Sequence, residues 1–96
     1  MIIKIHKSQG RILVALCDKE LLGKKFSGEN CELDLGSDFF KGEEKTEREI
    51  GDILRNSWTS NIVGRKSIDL ALKEEVISEE HVKEIDGVPY ALIITL

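Results

Sequence analysis

The side chains best suited to chemistry in this chain gather in one run, Asn56 to Ser67, and the chemistry they offer is anion binding. Gly64 is followed by Arg65, Lys66 and Ser67 where a helix is expected to open. A glycine, two cations and a hydroxyl beside the free N–H groups of a helix N-terminus can hold a phosphate, since donors and helix dipole both favour negative charge. Just upstream, Ser57, Ser60 or Asn61, and Gly64 recur at three- and four-residue steps. On a helix they would form one small, polar stripe leading to Arg65, along which a ligand or a neighbouring backbone could come close. The plainer account is a capped, solvated helix start and tight helix-to-sheet packing. Two named phosphate motifs fail. The phosphate loop needs an upstream glycine and a Gly-Lys-Ser order, and the KH-type glycine loop needs a second glycine where Ser67 stands.

Catalytic and metal chemistry have less behind them. His6 and His81 are the only histidines, each in a strongly charged neighbourhood, and no Gly-x-Ser-x-Gly turn accompanies them. Cys17 and Cys31 form no Cys-x-x-Cys pair and read as reduced, small buried hydrophobes on strands. Structural zinc draws on close-spaced ligand pairs, which are missing here. The adjacent pairs Glu43-Glu44, Glu74-Glu75 and Glu79-Glu80 point apart on a helix and read as solvated faces. No catalytic residue, cofactor or metal site is expected.

Net charge is −4, unevenly spread: residues 1–28 carry +4 and residues 29–96 carry −8. A globally acidic protein binds nucleic acid poorly without a local basic face. His6, Lys7, Arg11, Lys24 and Lys25 could build one, or could simply be solvated strand ends and turns. The longest apolar runs, Ile12 to Cys17 and Ala91 to Ile94, are far too short to span a membrane, and the start has no segment of signal-peptide length. A soluble, cytoplasmic protein is expected.

The elements that must position these residues follow from periodicity. Met1 to Lys7 reads as a strand, Ser8-Gln9-Gly10 as a turn, and Arg11 to Cys17 as a second, central strand with no polar face. Asp18 could cap a single helical turn ended by Gly23, and Asn30 to Leu35 alternates as a half-solvated edge strand. Phe39-Phe40 would pin the connection that follows. Thr46-Glu47-Arg48-Glu49 is a capping-box signature. Ile50, Ile53, Leu54, Trp58 and Ile62 then suggest an amphipathic helix from about Glu47 to Asn61 or Val63, ended by Gly64, with Trp58 turned toward the core. A second helix opens at Lys66 or Ser67, and Ser78 caps one further turn. Val82 to Ile85 and Val88 to Leu96 form a hairpin about Asp86-Gly87, and the last strand should lie beside one of the first two.

This order predicts one α+β domain over residues 1–96. It would be a two-layer sandwich with a mostly antiparallel sheet of about five strands and two main helices on one face. The other face would be partly open or used in association.

Three segments carry a family resemblance. The opening from Ile3 through Gly10-Arg11-Ile12 to Phe26, the positions Ser57, Asn61, Ile62, Val63 and Gly64, and the ending Asp86 to Ile93 resemble the archaeal domain-of-unknown-function 424 family. The family pattern carries a histidine after the Val-Pro pair where this chain has Tyr90, which leaves any role of that histidine unsupplied. The resemblance implies a small cytoplasmic archaeal protein whose gene sits among translation genes.

The expectation is therefore a non-enzymatic binding module acting near the translation machinery. Its partner would be RNA or a ribosome-associated protein, contacted by Ser57, Ser60, Asn61, Gly64, Arg65, Lys66 and Ser67 together with Lys7, Arg11, Lys24 and Lys25. The alternative is a protein-interaction or homodimeric module that uses the open sheet face and the last strand.

Overall fold

The structure, a computed structural model, describes residues 1–28 and 32–94. Its strands and helices are β1 (Ile2–Ser8), β2 (Arg11–Cys17), β3 (Lys25–Ser27), β4 (Glu32–Asp34), β5 (Glu43–Glu44), α1 (Glu47–Arg55), β6 (Thr59–Val63), α2 (Arg65–Lys73), β7 (Lys83–Ile85) and β8 (Val88–Ile94). The α+β class holds. A six-stranded sheet runs β5-β1-β2-β6-β8-β7, and β3 pairs with β4 in a separate small sheet. All its pairings are antiparallel except β2 with β6.

Burial on both sides of the sheet follows from alternation along the strands. On one face Ile3, Val14, Leu16 and Ile62 meet Ile50 and Leu54 of α1 and Ile68, Leu70 and Ala71 of α2. On the other, Ile2, Ala15, Cys17 and Val63 meet Leu35 and Phe40, with Phe26, Leu33 and Phe39 packed around them. This second cover comes from the small sheet and from a 3₁₀ turn at Asp38–Phe40. It reaches only part of the face, so Leu92 and Ile94 of β8 stay 59% and 56% exposed.

Several local expectations hold. The capping box at α1 is formed, Glu49 N–H donating to Thr46 Oγ1 at 3.2 Å and Thr46 N–H to Glu49 Oε1 at 3.2 Å. Asp86 and Gly87 take positive φ values of 50° and 79° in the β7–β8 hairpin. Of the expected strand from Asn30, the first two residues lie outside the described residues, and Glu32–Asp34 pairs with β3.

Three expectations are corrected. The long helix to Asn61 or Val63 stops at Arg55, and Thr59–Val63 is the strand β6, central in the sheet between β2 and β8. Residues four apart face the same way on a helix and on a strand alike, so the Trp58–Ile62 step does not separate the two. The β-branched residues Thr59, Ile62 and Val63 favour the pleated surface. Gly64 is accordingly no helix end. It links β6 to α2 with φ 110°. The last strand lies beside β6, not beside β1 or β2.

Trp58 is the third correction. It is 36% exposed at the start of β6, and the Arg11 guanidinium lies 4.5 Å from its ring centroid. Among the described residues no helix is long and apolar enough to cross a membrane.

Candidate functional site

The junction of β6 and α2, where the sequence points to an anion site, is filled from within the chain. Asp18 follows β2, its own N–H held by the Val63 carbonyl at 3.1 Å, which brings its side chain under the first turn of α2. Its Oδ2 accepts the Lys66 N–H at 3.1 Å, and its Oδ1 accepts the Ser67 N–H at 2.8 Å and the Ser67 hydroxyl at 2.7 Å. Asp18 and Ser67 are 4% and 0% exposed. A carboxylate already occupies the place that the helix dipole favours for negative charge, so an external phosphate would meet occupied donors and a like charge. The capping role expected for Asp18 thus goes to α2, far along the sequence, and not to the turn that follows it. Gly64 fits the same arrangement, because a Cβ there would collide with the Asp18 carboxyl group.

The polar stripe does not exist as a surface. Ser57 and Ser60 are buried on the helix side of the sheet, Ser57 Oγ donating to the Leu54 carbonyl at 2.8 Å and lying 2.6 Å from Ser60 Oγ. Asn61 points to the opposite face. Arg65 and Lys66 are exposed and loosely paired with Asp69 and Glu20 at 3.7 and 3.8 Å.

Nor do the cations converge. Arg11 and Lys7 sit at the β1–β2 turn, whereas Arg65 follows Val63, the partner of Cys17 at the far end of β2. The six residue-to-residue steps from Arg11 to Cys17 put these groups roughly 20 Å apart at ~3.3 Å per step. Lys25 opens β3 of the small sheet, where it pairs with Glu32 at 3.3 Å, and Lys24 immediately precedes it.

An apolar concave surface lies instead on the partly covered sheet face. The register aligns Asn61 with Leu92 and Val63 with Tyr90. These residues floor a groove of about 390 Å³ walled by Leu33, Phe39 and Phe40. The wall is braced: Phe39 stacks on His6 with ring centroids 4.7 Å apart and meets Phe40 edge-on at 5.3 Å. His6 Nε2 lies 3.0 Å from the Phe39 carbonyl oxygen. The exposed Leu92 and Ile94 continue the apolar surface along β8.

Such a site can bind an apolar segment and orient it through the Asn61 amide, and the described residues that line it include no nucleophile–base pair. Burial, and secondarily the neighbouring Asp18 carboxylate, push the Cys17 thiol up to about 11, which keeps it protonated and inert. Ser78 and His81 lie 3.1 Å apart, but both are exposed and close a 3₁₀ turn. Among the described residues no group of three His, Cys, Asp or Glu side chains is placed to hold a metal ion.

Sequence periodicity points to the open sheet face and the last strand but not to the walls of the groove, which come from the short strand β4 and a 3₁₀ turn. The usable signals were the two-sided apolarity of Val88 to Ile94 and the Phe39-Phe40 pair.

Comparison with known proteins gives family and fold. A family model described as protein of unknown function (DUF424) matches residues 6–96. No curated protein matches the sequence. A crystal structure of an uncharacterized conserved protein from Methanopyrus kandleri is similar to this one, with a TM-score of 0.82 and 20% sequence identity. The likeness covers 99% of this chain and 90% of that one, and at this identity it concerns the fold alone.

Proposed function

We propose that this chain, which belongs to the DUF424 family, is a protein-interaction module that takes an apolar protein segment on its partly open sheet face. The observation carrying this reading is the groove of about 390 Å³ between Phe39-Phe40 and β8, continued by the exposed Leu92 and Ile94. Contiguous exposed apolar surface beside a concavity is the usual mark of a protein partner. A second copy of the chain is one form that partner could take.

The RNA reading keeps one observation in its favour, the exposed Trp58 with Arg11 over its ring. An aromatic face with an adjacent cation suits nucleobase stacking and a phosphate contact. It ranks second because the other cations are scattered over both ends of the sheet and over the small sheet.

The two readings part in one experiment. Tagged wild-type, Leu92→Asp and Arg11→Glu proteins are exposed to native lysate with and without nuclease, and light scattering measures self-association in parallel. Nuclease-resistant capture, or a dimer, that Leu92→Asp abolishes without lowering the melting temperature is the expected result. Nuclease-sensitive capture lost in Arg11→Glu would move the assignment to RNA. A strict monomer whose captured partners all survive Leu92→Asp would end the groove reading.

A further inference from the structure

The edge of β1 offers a second, independent surface. Trp58 N–H bonds the Ile12 carbonyl at 2.8 Å and Asp18 N–H bonds the Val63 carbonyl at 3.1 Å, so even-numbered residues of β2 direct their backbone groups to β6. The odd-numbered ones, Arg11, Leu13, Ala15 and Cys17, must then bond β1 through their partners Ser8, His6, Lys4 and Ile2. That leaves the backbone N–H and C=O of Ile3, Ile5 and Lys7 directed outward. The short strand β5 reaches only Ile2 and Ile3. Its approach ends at Gly42, where a Cβ would collide with the Ile3 carbonyl. Among the described residues the outward groups of Ile5 and Lys7 have no strand opposite them.

Beside this open edge is a cavity of about 460 Å³ lined by Ile3, Lys4, Ile5, Lys41, Glu43 and Lys45, with Gly42 at its back. Three lysines against one glutamate make it cationic in a protein of net charge −4. Lys41 pairs with Asp38 at 3.2 Å, both exposed, a contact that a competing carboxylate can replace at little cost, and the half-buried Lys45 pairs with the exposed Glu43 at 3.4 Å. Ile5 is 37% exposed on the same edge.

We propose that the β1 edge from Lys4 to Lys7 docks an extended, acidic segment of another protein as an added strand. The backbone of Ile5 and Lys7 would supply the ladder bonds, Ile5 the apolar contact, and Lys4, Lys41 and Lys45 the charge recognition. Lysines on an edge strand also discourage indiscriminate pairing. That same repulsion opposes edge-to-edge pairing with a second copy, which would bring Lys4 and Lys7 against their own kind. An acidic strand converts the guard into selectivity.

The test uses a fluorescein-labelled peptide alternating valine with glutamate and aspartate, followed by anisotropy on the full chain. Saturable binding is expected. It should weaken at least about tenfold when alternate peptide amides are N-methylated, when the acids become lysines, and in Lys4→Glu/Lys41→Glu. Ile5→Pro, which removes an outward N–H where proline is tolerated, should also abolish it. Amide shifts of Ile5 and Lys7 should move on titration. Absence of saturable binding overturns the proposal, as does binding indifferent to N-methylation or to the lysine reversals. The N-methylated peptide keeps the test decisive even if Ile5→Pro fails to fold.

Discussion

Asp18 does for helix α2 what a bound phosphate would otherwise do, and the consequence is measurable residue by residue. Asp18→Ala removes the acceptor for two backbone N–H groups and leaves the Ser67 hydroxyl buried without a partner. Loss of a cap and of a buried hydrogen bond together should cost about 1–3 kcal/mol. Gly64→Ala, at φ 110° and against the Asp18 carboxyl, should cost more than about 2 kcal/mol. Because the collision is with the group that Asp18→Ala deletes, the two losses should not add, and the double variant should be more stable than their sum predicts. Urea denaturation of the four proteins measures this coupling. Additive losses would mean that Gly64 is constrained by its backbone alone.

Asp18 is also a cap that its own sequence neighbourhood does not reveal. A capping aspartate is recognised by its place just before a helix, whereas this one caps a helix that opens at Arg65. Nothing in the local pattern announces a pairing across the sheet. The same holds for Ser57 and Ser60, whose hydroxyls satisfy each other inside the fold. Polar residue types alone do not separate a ligand-facing stripe from an internally satisfied pair.

At the scale of elements, the parts with local causes were legible and those with tertiary causes were not. The β1–β2 hairpin, the capping box of α1 and the Asp86-Gly87 hairpin each rest on contacts within a few residues. The β6 strand does not. Its length of five residues and its mixed polarity make it a strand only because β2 and β8 lie on either side. The α1 start yields a pH-dependent prediction. The Thr46 backbone N–H, then its hydroxyl, hold the Glu49 carboxyl below the usual carboxylate range. A depressed native pKa contributes stability that is present above the unfolded pKa and lost as pH falls through the native value. Glu49→Gln should therefore lower the urea midpoint at pH 7 and flatten its decline below about pH 4.3, the ordinary glutamate value. Parallel declines in the two proteins would remove Glu49 from the acid sensitivity.

For the whole molecule, the sheet sets a gradient of protection from centre to edge that hydrogen exchange can read. β2 and β6 are flanked on both sides and covered by α1 and α2 on one face, so their amides open only with large-scale unfolding. The N–H groups of Ile62 and Val63, near the middle of six strands, should exchange slowest. Along β1 the pattern should alternate. Lys4 and His6 direct their amides to β2 and should be protected, whereas Ile5 and Lys7 direct theirs outward and should exchange near the unprotected rate. Secondary structure alone predicts no such alternation, since all four residues lie in one strand. Uniform protection of Lys4 to Lys7 that fades on dilution would mean that a second copy already covers the edge. Alternation that persists at every concentration would leave Ile5 and Lys7 open for another chain, and the acidic strand should then slow those two amides more than their neighbours.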